Sequence, residues 1–98
     1  MFVGFARYDL RLAGCTSLKD KRSVLRTLML MLQQKFRCAV AEVAAQDMHQ
    51  RASVGLSIVT ESAFHARRVL SEIGRHVETH PGVEVIASVA DVFAPEDL

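Results

Sequence analysis

From Phe2 to Leu12 the side chains alternate in polarity, with Ala6, Tyr8, Leu10 and Leu12 on one face and Arg7, Asp9 and Arg11 on the other. That two-residue period predicts a strand with one buried side. After Gly14, Cys15 and Thr16 the period lengthens. Ser17, followed three residues later by Asp20, forms an acidic variant of the capping box and predicts a helix start. Leu18, Val24, Leu25, Leu28, Met29, Met31, Leu32 and Phe36 then gather in one arc at about 100° per residue, as a core-facing helix requires. Lys19, Arg22, Arg26 and Gln33 fall on the opposite side.

Cys38 to Ala45 and Arg51 to Thr60 read as two further strands, joined by the polar segment Gln46, Asp47, Met48, His49, Gln50 as a hairpin loop. In the second of these strands Ala52, Val54, Leu56 and Ile58 alternate with the nearly bare positions Ser53, Gly55 and Ser57. Thr60 or Ser62 is expected to cap a second helix, with Ala63, Ala66, Leu70, Ile73 and Val77 at steps of three and four and Pro81–Gly82 as its stop. Val83 to Phe93 is a last β-branched run. The order βαββαβ predicts an α+β fold of the ferredoxin-like plan, a four-stranded antiparallel sheet with two helices on one face. A single domain is expected over 1–93, followed by an acidic tail over 94–98. The other face of the sheet must be solvated, paired or used for binding, and Val3, Phe5, Val40 and Ile86 are expected on it.

Composition sharpens this picture by exclusion. Half of the 98 residues are hydrophobic and 23% are charged, so the chain can bury a core. The first residues lack the basic start and apolar run of a secretory signal, and no apolar stretch approaches the length of a membrane span. Two cysteines outside any CxxC pattern are expected to be reduced thiols, and a cytoplasmic location without membrane attachment is expected.

The net charge of +1 hides a polarised chain. Residues 1–38 hold eight Lys and Arg against two acids, whereas the remainder holds four against nine. Three of those cations, Lys19, Lys21 and Arg22, occupy the first turn of the first helix, where the helix dipole is already positive. An external anion such as a nucleic-acid phosphate would reverse the sign of that unfavourable interaction. Lys19, Lys21, Arg22 and Arg26 are therefore the expected anion-binding residues, set against the plainer reading of solvated helix residues with Lys21 snorkelling beside the core and the others paired to acids of the second half. Gln46, Asp47, His49, Gln50 and Arg51 form a second candidate surface, set against the plainer reading of turn chemistry with a salt bridge from Arg51. Base stacking on the open sheet face is rejected, because the chain has no Trp and one Tyr, and the third strand offers Ser53, Gly55 and Ser57 there.

No catalytic residue, metal ligand set or cofactor motif is assigned. His76 and His80 are four apart on a helix without a third ligand, and His80 is expected to act as a partner of the helix dipole. Gly14-Cys15-Thr16-Ser17-Leu18-Lys19 lacks the second glycine and the Lys-Ser/Thr pair of a phosphate loop. A thiol ahead of a cationic helix start leaves Cys15, or alternatively His49, as the centre of a weak hydrolase.

Three blocks carry a resemblance that spans nearly the whole chain: Ser17-Leu-Lys-Asp-Lys-Arg-Ser-Val-Leu-Arg26, Ala41-Glu42-Val43, and Gln46-Asp-Met-His-Gln-Arg-Ala52. In that order and spacing they resemble the YlxP-like family of small bacterial proteins of unknown function. The family usually carries Trp or another bulky side chain where this chain has His49. The resemblance implies a ferredoxin-like fold, a cytoplasmic setting, and genes that often lie among those for transcription elongation, translation initiation and ribosome maturation. It implies no catalytic residue. Together these readings predict a non-catalytic binding accessory of structured RNA or the ribosome, with a homodimeric protein-interaction module as the alternative.

Overall fold

A computed structural model describes residues 1–96. Six elements follow in the order β1 (Phe2–Arg11), α1 (Leu18–Phe36), β2 (Ala39–Ala44), β3 (Arg51–Thr60), α2 (Ala63–Glu78) and β4 (Glu84–Phe93). The sheet order is β2-β3-β1-β4, and every neighbouring pair is antiparallel. This is the ferredoxin-like α+β arrangement. Of the acidic segment 94–98, positions 97 and 98 lie outside the described residues.

The helix starts follow from local chemistry. Ser17 has an extended backbone and its hydroxyl accepts from the Asp20 N–H, while Ser62 caps α2 in the same way through the His65 N–H. α1 ends at Arg37, which donates its N–H to the Gln33 carbonyl and turns the chain out of the helix with a left-handed φ of 52°. α2 stops at Thr79, ahead of Pro81.

The two-residue period of the central strands decides where the core sits. Ala6, Tyr8, Leu10, Ala52, Val54, Leu56 and Ile58 point toward the helices and are buried. They meet Leu25, Leu28 and Leu32 of α1 and Ala66, Leu70, Ile73 and Val77 of α2. At Gly4 a Cβ would come within 3.0 Å of Ile58 Cγ1 and 3.1 Å of Leu70 Cδ1, so glycine lets α2 lie close on β1. Burial raises the Tyr8 pKa, and the Glu78 carboxylate adds to the shift.

Two expected placements need correction. Val40 pairs with the buried Leu56 and packs against the core instead of lying on the open face. His80 lies beyond the end of α2, after the Thr79 cap, and its partial burial lowers its pKa, which works against the expected cationic partnership with the dipole.

Candidate functional site

The cations at the start of α1 divide into two sets. Lys19, Arg22 and Arg26 are exposed and make no ion pair among the described residues. Their spacing of three and four places them on one stripe of the helix. Lys21 is different: it is 1% exposed and points inward with Leu25, Leu28 and Leu32. The expectation that Lys21 belongs to a surface patch is thereby corrected.

The Lys21 ammonium closes a ring of backbone oxygens from the β2–β3 loop and the first residue of β3. Its Nζ lies 2.7 Å from the Ala45 carbonyl, 2.6 Å from that of Met48, 3.0 Å from that of Arg51 and 3.4 Å from that of Gln46. An ammonium has three protons, and the three short contacts use them. Glu42 Oε2, 2.8 Å from Nζ and buried without a hydrogen-bond donor of its own, supplies the counter-charge. Ala45 reaches this ring with a left-handed φ of 62°, which costs a non-glycine residue about 1 kcal/mol and is offset by the bond to Lys21.

The same junction gathers further contacts. The Leu12 N–H donates to the Gln50 carbonyl, and Gln50 Nε2 donates to the Cys15 carbonyl at 3.2 Å. The first turn of α1 and the polar loop, separate in the sequence, therefore form one continuous end of the molecule. Gln46, Asp47, Met48, His49 and Gln50 are all exposed there. Gln46 turns its amide back to the Glu42 carbonyl, which leaves Asp47 and His49 as outward groups. Arg51 belongs to β3, opposite Arg11, and makes no ion pair among the described residues, so the salt bridge once expected from it is absent there.

The electrostatics of the helix start are also partly resolved from within. The Thr16 N–H and hydroxyl both donate to Asp20 Oδ2, at 2.9 and 2.8 Å. Those bonds, led by the Thr16 backbone N–H and helped by Ser17 and the His49 charge, hold the Asp20 carboxyl below its ordinary pKa. A carboxylate thus already stands at the positive end of the dipole. Ser17 in turn caps one backbone N–H of that end, that of Asp20.

Cys15 does not supply an activated nucleophile. It is 3% exposed, and burial and then the Asp20 carboxylate push its thiol pKa up, against a smaller opposing effect from Lys21. Cys38 is likewise buried, with its Sγ donating to the Leu32 carbonyl at 3.4 Å and its pKa raised by burial. His76 packs edge-on against Phe36 and has Nδ1 2.8 Å from the Glu72 carbonyl. No described helix is long and apolar enough to cross a membrane.

Sequence reasoning offered Lys21 beside the core only as the plainer alternative and missed its carbonyl and Glu42 partners, although a signal for the inward placement existed. Position 21 lies on the same helical arc as Leu18, Leu25, Leu28 and Leu32, so a cation there was already placed toward the core.

Comparisons with known proteins agree with this architecture. A cofactor-independent oxygenase of Streptomyces nogalater, SnoaB, in its N63A form, superposes with a TM-score of 0.51 over 95% of this chain and 91% of that one. At 14% identity that likeness shows the fold alone. The uncharacterized protein YlxP of Bacillus subtilis is 30% identical over 82 residues, spanning 84% of this chain and 89% of that protein. The family model described as a protein of unknown function, DUF503, matches residues 3–89, and the chain belongs to this YlxP-containing family.

Proposed function

We propose that this protein is a non-catalytic binding accessory whose exposed α1 stripe, Lys19, Arg22 and Arg26, engages the phosphate backbone of structured RNA such as that of the ribosome. One observation carries the reading: three cations lie along a single helical stripe, with no carboxylate in ion-pair range among the described residues. Phosphate contacts of this kind position a protein without reading bases, which suits a molecule that has no aromatic platform on its central strands beyond Phe5. The Lys21 ring supports the same reading, because it ties the stripe to the outward Asp47 and His49 as one preformed surface. A cytoplasmic setting accompanies this proposal.

Titration of labelled structured ribosomal RNA fragments in rising salt tests it. Lys19→Glu combined with Arg22→Glu is expected to weaken binding and to flatten the slope of log K against log salt by about 2, roughly one for each phosphate contact removed. Unchanged affinity and slope would exclude the stripe.

A homodimeric interaction module is a second reading. It is favoured by the apolar side chains that the uncovered sheet face leaves in solvent.

A further inference from the structure

The uncovered face of the sheet has two unlike halves. The register sets its side chains in transverse rows across β4, β1, β3 and β2. One row is Val89, Arg7, Gly55 and Ala41, and the next is Asp91, Phe5, Ser57 and Ala39. A third is Ala87, Asp9, Ser53 and Ala44. In the first two rows the β4–β1 half carries the larger side chains and the β3–β2 half the smaller ones, although Val43 of β2 leans over Gly55, its Cγ1 3.1 Å from where a Cβ would stand. Phe5 and Phe93 meet at 6.4 Å between ring centroids and form part of the ridge. Ala39, Ala41, Gly55 and Ser57 line a shallow depression of about 310 Å³ beside it.

We propose that this face is the interface between two copies of the chain, related by a two-fold axis parallel to the strands. The proposal develops the second reading above and does not depend on RNA binding, because α1 lies in the other layer of the fold. Such an axis reverses each row upon itself. Val89 then sits over the partner copy's position 41, Arg7 over position 55, where Val43 leans across the glycine, and Phe5 over position 57, so Val89 and Phe5 enter the two open hollows. An axis across the strands would set ridge on ridge. It would also press the charged end of the face, Arg11, Arg51 and Glu84, against the apolar end, Val3, Val59 and Phe93, whereas the parallel axis keeps charged end on charged end, with Arg11 over the partner copy's position 51 at the solvent-exposed rim.

Area and polarity fit the same occupant. Four strands about 4.8 Å apart and up to about 33 Å long give a face of roughly 600 Å², or about 1,200 Å² for two copies, which passes the threshold of about 1,000 Å² for a specific interface. Phe5, Val89 and Phe93 are exposed on this face, and Val59 is 68% exposed. The polar groups at its centre are already paired: Ser53 donates to Asp9 Oδ1 at 2.6 Å, and Arg7 Nε donates to the same oxygen at 3.2 Å, while Asp91, on the β4 edge, accepts from the Val92 N–H. Two facing sheets of this kind pack about 10 Å apart with strands inclined by about 30°, and a two-fold makes the contact self-complementary.

Light scattering and sedimentation equilibrium across a dilution series test the proposal, using the full chain. The natural protein is expected to run at twice the chain mass and to dissociate on dilution; a monomer at every concentration overturns the interface. Ala41→Asp and Val89→Lys are each expected to weaken self-association about a hundredfold, since each places two unpaired charges per dimer in the contact. Mixing the two variants is expected to restore a heterodimer, because position 41 of one meets position 89 of the other. Failure of that rescue overturns the axis. Both sites are on the solvent side of the sheet, and an unchanged circular dichroism melt of the separated monomers establishes that they fold. Lys19→Glu with Arg22→Glu is expected to leave association intact, so loss of RNA binding and loss of the dimer are separate results.

Discussion

Lys21 and Arg22 are neighbours in the chain and carry the same charge, yet they serve opposite regions of α1. Lys21 lies within the core layer, its ammonium among loop carbonyls and beside Glu42. Arg22, with Lys19 and Arg26, stands in solvent on the far side of the same helix. The inward cation works as a cross-link between segments 24 to 30 residues apart, and the outward ones contribute little to the fold. A charge run on a helix is therefore not one feature. Its members divide by helical phase, and the phase decides whether a cation is structural or available to a partner.

Removing the inward partner should break the comparison most sharply. Lys21→Met strands Glu42 and three carbonyls together, and it is expected to cost about 3–5 kcal/mol in urea unfolding. Adding Glu42→Leu to that variant should recover part of the loss, because no buried charge then remains uncompensated. Ser17→Ala is the next largest change, expected to destabilise by about 1 kcal/mol through loss of the α1 cap. The outward side should respond least. Lys19→Glu and Arg22→Glu should each stay within about 0.5 kcal/mol of the natural protein. An outward variant as damaging as Lys21→Met would erase the distinction.

Titration sharpens the same contrast. Asp20 is held below its ordinary pKa of 3.8 by Thr16, and Asp9 by Ser53 and Arg7. A carboxyl whose folded pKa is depressed stabilises the fold above the unfolded value and loses that contribution as pH falls through the folded value. Stability should therefore decline below pH 3.8 toward those lowered values, and Asp20→Asn should flatten that decline. His80, lowered from 6.5 by burial, has the same sign. Its contribution is complete above pH 6.5 and fades as pH falls through its folded value, so His80→Gln should remove a shallow slope in melting temperature there.

The alternation of β1 and β3, the caps at Ser17 and Ser62, and the arc of α1 were all legible in the sequence, because each is a local periodicity or a cap with one physical solution. The exposed positions of Lys19, Arg22 and Arg26 were legible for the same reason. The Lys21 ring was not, since it is built from the backbone carbonyls of a loop that composition describes only as polar. Val40 was misplaced because the one charged residue of β2, Glu42, shares its face and marks that face as the solvent side, whereas Glu42 is turned inward to Lys21. The division of the uncovered face into a bulkier and a smaller half needed the register, which sets Val89, Arg7, Gly55 and Ala41 in one line from four strands.

The enclosure of the Lys21 ammonium also makes it a built-in reporter. In the native protein its nitrogen is shielded and its protons are committed, so an acylating reagent can reach it only through openings that dismantle the loop and the start of α1 together. Every other lysine, Lys19 and Lys35, is exposed and should label at once. The lag between those two signals, read by mass spectrometry, measures how often this end of the molecule comes apart.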